Sequence, residues 1–392
     1  MLYWLARTYT RHSAAQYENI VWDEQQVPAR QISVSIKTLD QLKVVEEQLR
    51  ERDREIAEKA KALADSDTQI ALLREQIAEA KKQNEKVPDD HDYSEAETRD
   101  YFIDLMLREA GWPLDKKEDR EYSVTGMLNG KGDGFVDYVL WGNDGLPLAV
   151  VEAKRTKKDP RIGQQQAKLY AHCLEKQFNQ RPLIFYTNGY KTWFWDDLNY
   201  PPRPVEGFYK RDELDLLIQR REKRKDLATE SINKEIVERY YQEESIRAVT
   251  EHFTNLQRKS LIVMATGARK TRTVIALCEL LQRCNWIKRV LFLADRVALV
   301  KQACNAFKKH LPDSNPVNLV TEKFTDSRVY VATYPTMMGQ INEIENGMRR
   351  FGVGHFDLVI IDEAHRSVYQ KYRAIFEYFD SLLMGFDGYT ER

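Results

Sequence analysis

The chain has 392 residues, and its 60 basic and 61 acidic side chains leave a formal charge of −1. That length allows two or three domains, each with its own core. The balanced charge neither requires nor excludes nucleic acid, so any such surface must come from local clustering. No apolar run reaches the roughly 18 residues of a membrane span, and the opening MLYWLARTYTRHSAA lacks a signal-peptide pattern. The four cysteines (Cys173, Cys278, Cys284, Cys304) form no CxxC pair, which argues against zinc and disulfide frameworks and fits a reducing cytosol.

Residues 1–37 carry no usable motif. Across 38–87 the chain turns rich in Glu, Lys, Arg, Gln and Ala, with no proline or glycine before Pro88. Leu42, Leu49, Ile56, Leu63, Ile70 and Ile77 recur every seventh residue, while the companion positions Val45, Arg52, Lys59, Ser66, Leu73 and Ala80 are poorer. One apolar seam predicts a long helix, serving as a spacer or as an oligomerisation zipper. Residues 88–200 form the next domain. SEAETRDYFIDLMLREAGW (94–112) has helical periodicity and ends at a glycine; FVDYVLW (135–141) and LAVVEAK (148–154) are strands joined by the turn GNDG. IGQQQAKLYAHCLEK (162–176) is helical, and PLIFYTNGYKTWFWD (182–196) returns to strand with an Asn-Gly turn. A Pro- and charge-rich link covers 201–235. From 236 to 392, helices alternate with the short apolar strands LIVMAT, VLFLAD, VYVATY and LVIIDE, a pattern that predicts a parallel sheet covered by helices. The fold class is therefore α/β.

Two constellations carry chemistry. Asp137, Glu152 and Lys154 interrupt the central strands of 88–200 where apolar residues are expected. Residues two apart on a strand share a face, so Glu152 and Lys154 point together, and pairing with FVDYVLW brings Asp137 alongside. Converging carboxylates repel unless a cation separates them, and hard oxygen ligands suit Mg²⁺. The lysine is then placed to orient or activate water beside a scissile phosphate. The bland alternative is a salt-bridged strand pair, Glu152 with Lys154. In the last domain, LIVMAT ends at Thr266 and runs into Gly267, Ala268, Arg269, Lys270 and Thr271 ahead of a helix, the layout of a phosphate-binding loop: backbone N–H groups, a lysine for the β/γ-phosphates, a hydroxyl for Mg²⁺. About ninety residues on, LVIIDEAH presents Asp362 as a Mg²⁺ ligand and Glu363 to polarise the attacking water.

The first constellation, with its helix–strand–strand–helix order, resembles the PD-(D/E)xK nuclease fold. Gln166 and Tyr170, four apart on one helix face, match the Q-x-x-x-Y signature that nucleases of restriction R subunits carry on the following helix. Glu97 matches the acidic residue, a further metal ligand, that many of these nucleases contribute from the opening helix. The second constellation resembles the first RecA-like lobe of superfamily 2 helicases, specifically the R subunit of type I restriction enzymes. In RYYQEESIRAV, Gln242 corresponds to a residue that reads the adenine edge. LFLADRVALVKQA and VYVATYPTMM resemble the next two motifs, making Arg296 and Thr333 to Thr336 expected contacts to a DNA backbone. The resemblance implies a prokaryotic cytoplasmic subunit, with no membrane association, that takes Mg²⁺ and ATP. It implies action on double-stranded DNA beside a methyltransferase and a specificity subunit, cutting while the motor pulls DNA inward.

Two departures qualify this. Arg269 stands where the family has glycine, which predicts impaired nucleotide binding. The sequence stops after GFDGYTER, where the family continues into a second lobe, so a truncated chain without translocation is expected. The alternative reading is an inactive relic, at most a DNA- or complex-binding module; a stand-alone helicase with a structural N-terminal domain accounts for fewer of the motifs.

Overall fold

The computed structural model describes residues 98–127, 132–265, 267–322, 326–364 and 366–389. Residues 1–37, the heptad-patterned segment 38–87, Glu97, Thr266 and His365 lie outside the described residues. Everything described belongs to one unit, Asp89–Arg392.

In the first half, a π-type turn at Arg99–Ile103 enters helix α1 (Asp104–Glu109). Then follow β1 (Arg120–Thr125), β2 (Asp133–Trp141), β3 (Pro147–Ala153), α2 (Gln164–Phe178), β4 (Leu183–Thr187), β5 (Thr192–Trp195) and β6 (Arg203–Val205). The six strands form one sheet in sequence order, antiparallel except for the parallel pair β3–β4. That parallel pair sets the layout of the site: the chain must cross back before β4, and α2 makes the crossing. β3 is buried along its whole length. Ile103 and Leu107 pack in one cluster with Tyr138, Leu140 and Val151; Ala167, Ala171 and Leu174 of α2 pack in another with Val139, Val150 and Ile184. The β4–β5 turn needs its glycine: Gly189 has φ +84°, and a Cβ there would lie 3.1 Å from Thr98 Cγ2 and from Phe102 Cβ.

The segment read from sequence as a link holds a helix, α3 (Arg211–Lys223). The second half continues with α4 (Tyr240–Thr254), β7 (Lys259–Ala265), α5 (Lys270–Arg283), β8 (Val290–Ala294), α6 (Val297–His310), β9 (Val317–Asn318), β10 (Val329–Thr333) and α7 (Tyr334–Gln340). The hairpin β11 (Ile344–Glu345)–β12 (Met348–Arg349) precedes β13 (Leu358–Asp362), α8 (Arg366–Lys371), α9 (Arg373–Tyr378) and β14 (Leu382–Tyr389). The sheet has the order β7-β14-β13-β8-β10-β9 with every pair parallel, as the apolar strand runs predict. Its last strand lies inside: β14 separates β7 from β13, so the two strands that carry the phosphate-loop and acidic motifs are not neighbours.

The two sheets share a core. One cluster includes Tyr138, Phe185 and Phe194 of the first sheet, Leu214 of α3, and Leu293 and Val359 of the second. Ion pairs fasten the same junction. Arg220 grips Asp357 with two bonds of 2.6 and 2.7 Å. Asp380, just before β14, accepts from Arg203 of β6 (2.7 and 2.6 Å), from Arg258 (2.7 Å) and from the Tyr209 hydroxyl.

Candidate active site

Asp137, Glu152, Lys154, Gln166 and Tyr170 come together. Paired residues of β2 and β3 run from Tyr138–Val151 to Trp141–Pro147. Beyond them, the Asp137 carboxylate takes over the strand contact, its Oδ2 accepting from Ala153 N at 2.7 Å. Glu152, 2% exposed, accepts from Lys154 Nζ at 2.5 Å. Lys154 Nζ also donates to Gln166 Oε1 (3.2 Å), and Gln166 Nε2 donates to the Tyr170 hydroxyl (2.8 Å). The crossover explains this chain of contacts. The polypeptide leaves β3 at Ala153 and enters α2 at Gln164, so the first turn of α2 stands over the end of β3, and spacing by four aligns Gln166 with Tyr170. Burial raises the Tyr170 hydroxyl pKa above its ordinary value; the bond from Gln166 opposes that, and the nearby charges of Glu152 and Asp137 add to it.

Gly163, at the entry to α2, lies against this set: a Cβ there would stand 3.0 Å from Glu152 Cγ and 3.1 Å from Lys154 Cε. Sequence reasoning missed Gly163 and also Arg99, whose Nη1 donates to Asp137 Oδ1 at 2.8 Å and lies 3.3 Å from Glu121. Arg99 sits two residues after Glu97 in the same periodic segment, so its phase was available; its reach to Asp137 was not.

The nucleotide motifs converge less completely. β7 leads to Gly267 (φ +82°) and to Arg269, which adopts the left-handed conformation at φ 57°, ψ 43° immediately before α5. Lys270 and Thr271 open that helix. Asp362 ends β13, and Glu363 follows with φ 53°. Burial and then repulsion from Glu363 push the Asp362 carboxyl up to about 6, with Lys270 pulling it down. The Arg269 guanidinium extends toward Glu238 at 3.9 Å. Gln242, the residue expected at the adenine edge, opens α4. It is buried, its Nε2 donating to Thr273 Oγ1 (3.2 Å) and its Oε1 accepting from Arg239 N (3.3 Å), so both ends of the amide are engaged inside the fold.

Of the expected DNA contacts, Arg296 is exposed. Thr333 is buried and caps α7, accepting from Thr336 N at 3.2 Å, which is a structural role. Between them in sequence, Tyr334 is buried, donates to the Asp362 carbonyl at 2.8 Å and stacks on Tyr372.

Asp137 lines a cavity of about 660 Å³, together with Arg99, Lys116, Lys117, Arg120 and Phe135. Mg²⁺ binds through one or two carboxylates and keeps several waters. Asp137 and Glu152, on adjacent strands, offer such an ion two carboxylates; the cavity lies beside Asp137, and Glu152 is not part of its lining. Among the described residues no three His, Cys, Asp or Glu side chains form a protein cage, and this cation does not demand one. Nor does any described helix reach the length and apolarity needed to cross a membrane.

Residues 120–203 match the family described as the N terminus of the type I restriction enzyme R protein, and residues 235–392 match the res subunit of type III restriction enzymes. The endonuclease subunit of the type I restriction enzyme EcoKI of Escherichia coli K12 is 29% identical over 344 residues, 70% of this chain and 29% of the relative. That of EcoAI of Escherichia coli is 31% identical over 271 residues, 62% of this chain and 32% of the relative. The chain thus spans about a third of the length of these relatives. A solved HsdR-subunit fragment of a type I restriction enzyme from Vibrio vulnificus YJ016 aligns over 77% of this chain and 56% of its own. It does so at 26% identity and a TM-score of 0.32, too loose to bear on the fold.

Proposed function

We propose that this chain, which belongs to the R subunits of type I restriction enzymes and includes a helicase-like region, cuts DNA phosphodiesters at Asp137, Glu152 and Lys154 with Mg²⁺. The observation that carries the proposal is the linked set Glu152–Lys154–Gln166–Tyr170, with Asp137 docked on Ala153 N. A simple salt bridge between Glu152 and Lys154 gives no reason for Gln166 and Tyr170 to extend it.

In this proposal Asp137 and Glu152 hold the cation. When bound, it supplies Lewis-acid stabilisation of the charge that develops on phosphate. Lys154, anchored by Glu152 and Gln166, presents a fixed positive charge to the phosphate and orients the attacking water. Gln166 fixes the lysine, Tyr170 fixes Gln166, and Glu97 is proposed as a further acidic contributor. Positioning of this kind is a large part of phosphoryl-transfer catalysis.

The helicase-like half is proposed to bind ATP through Gly267, Lys270 and Thr271, with Thr266 beside them. Asp362 would hold Mg²⁺ and Glu363 would direct water. Translocation on double-stranded DNA, assembly with methyltransferase and specificity subunits, and a prokaryotic cytoplasmic setting are proposed at the level of the whole enzyme. For the ATP site alone, the left-handed Arg269 favours the second reading, a loop that has lost function. A plasmid-nicking assay with Mg²⁺, run with and without ATP, tests the division. ATP-independent nicking that disappears in Asp137→Ala and in Lys154→Ala is expected; unchanged nicking in both variants refutes the site.

A further inference from the structure

Phe135 is 63% exposed, on the strand that carries the catalytic carboxylate Asp137, and both line the same cavity. Single exposed apolar residues are ordinary on protein surfaces. This one differs in its surroundings: Lys116 and Lys117 share the wall with it, beside Arg99, which is ion-paired with Asp137 and Glu121, and Arg120, which is ion-paired with Asp100 and Asp104. The ring lies two residues from Asp137, about 7 Å along an extended strand, within the span of one nucleotide.

The substrate side of the geometry then decides what can use the ring. In duplex DNA the bases are stacked and paired inside, and the outer surface that meets a phosphate-binding site is sugar and phosphate. An exposed phenyl ring gains little from that surface. An unpaired nucleotide offers a base face, and stacking on an aromatic side chain contributes about 1–3 kcal/mol per base without sequence preference. Cationic groups and one aromatic beside Asp137 match a strand whose phosphate meets Lys116 and Lys117 and whose base rests on Phe135.

We infer that the cavity accepts an unpaired nucleotide of DNA, with Phe135 as its stacking platform, so that the nuclease acts on single-stranded or locally opened DNA. This rests on the nuclease reading of Asp137, Glu152 and Lys154 for the word substrate, but the stacking itself can be measured without cleavage.

The test uses the full chain in EDTA, with fluorescence anisotropy of a short labelled single strand and of the duplex of the same sequence. Wild type should prefer the single strand. Phe135→Ala should weaken single-strand binding roughly 5- to 100-fold, the equivalent of one lost stacking contact, and leave duplex binding within about twofold. Phe135→Trp should retain the preference, and a strand with abasic positions should bind wild type as weakly as the normal strand binds Phe135→Ala. Equal affinity of Phe135→Ala and wild type for the single strand, or an equal loss on both substrates, overturns the inference. Cleavage in Mg²⁺ separates the two claims. If Asp137→Ala and Lys154→Ala cut normally while Phe135 still governs single-strand binding, the nuclease assignment fails and the stacking platform stands.

Discussion

Asp380 should be the residue whose charge matters most to the junction of the two sheets. Its side chain is 9% exposed, and its two oxygens accept three bonds from Arg203, one from Arg258 and one from the Tyr209 hydroxyl. Those partners come from β6, from the residue before β7 and from the segment after β6, so one carboxylate ties both halves. Asp380→Asn keeps the shape and removes the charge, leaving two guanidinium groups, 17% and 22% exposed, without their counter-charge. Breaking a buried pair by removing one partner costs about 3–5 kcal/mol, a large share of a total stability of roughly 5–15 kcal/mol. At about 2–4 °C per kcal/mol for a unit this large, the melting temperature should fall by on the order of 10 °C. The arginines hold the Asp380 carboxyl well below its ordinary value, against the effect of burial. A depressed carboxyl contributes stability that is complete above its unfolded value near 4 and is lost as pH falls through the folded value. Wild type should therefore lose stability below about pH 4 more steeply than the variant. Urea unfolding at pH 7 followed by tryptophan fluorescence, repeated in acid, measures both effects. A destabilisation under about 1 kcal/mol, with an unchanged acid limb, would refute the clamp.

Three further outcomes are expected. Burial lifts the Glu213 carboxyl up to about 7, against the backbone bond from Lys210; such a raised group stabilises fully below its unfolded value and loses that contribution as pH rises toward 7. Glu213→Gln should therefore be near neutral at pH 5 and stabilising by up to about 3 kcal/mol at pH 8, and a pH-independent effect in denaturant titrations would contradict it. Gly163→Ala places a methyl against Glu152 and Lys154, so nicking should fall about tenfold or more while stability changes by less than about 1 kcal/mol; normal nicking would show the pair tolerates displacement. Arg269→Gly relieves a left-handed conformation that costs an L-residue roughly 1–2 kcal/mol and clears bulk from the loop. ATP should then bind more tightly in a fluorescent-nucleotide titration, and equal affinities would mean the arginine is harmless.

The residues of the candidate site stand out in the linear sequence because their types are conspicuous where they stand. Asp137 and Glu152 interrupt apolar strands, and Gln166 and Tyr170 repeat at a helical interval. Strand runs such as VLFLA and LVIID also declare a buried parallel sheet by themselves, since both faces must be apolar. What the sequence could not decide depends on contacts between distant segments. Arg99 reaches Asp137 from 38 residues away, and Gln242 is turned inward by Thr273, 31 residues on. β14 inserts between β7 and β13, and the charged stretch that reads as a link contains α3, which buries Leu214 in the shared core and pairs Arg220 with Asp357. Local pattern specifies which side chain is offered and in what phase. Which partner it meets is set by packing and charge pairing across the closed fold, and these exist only once the sheets share a core.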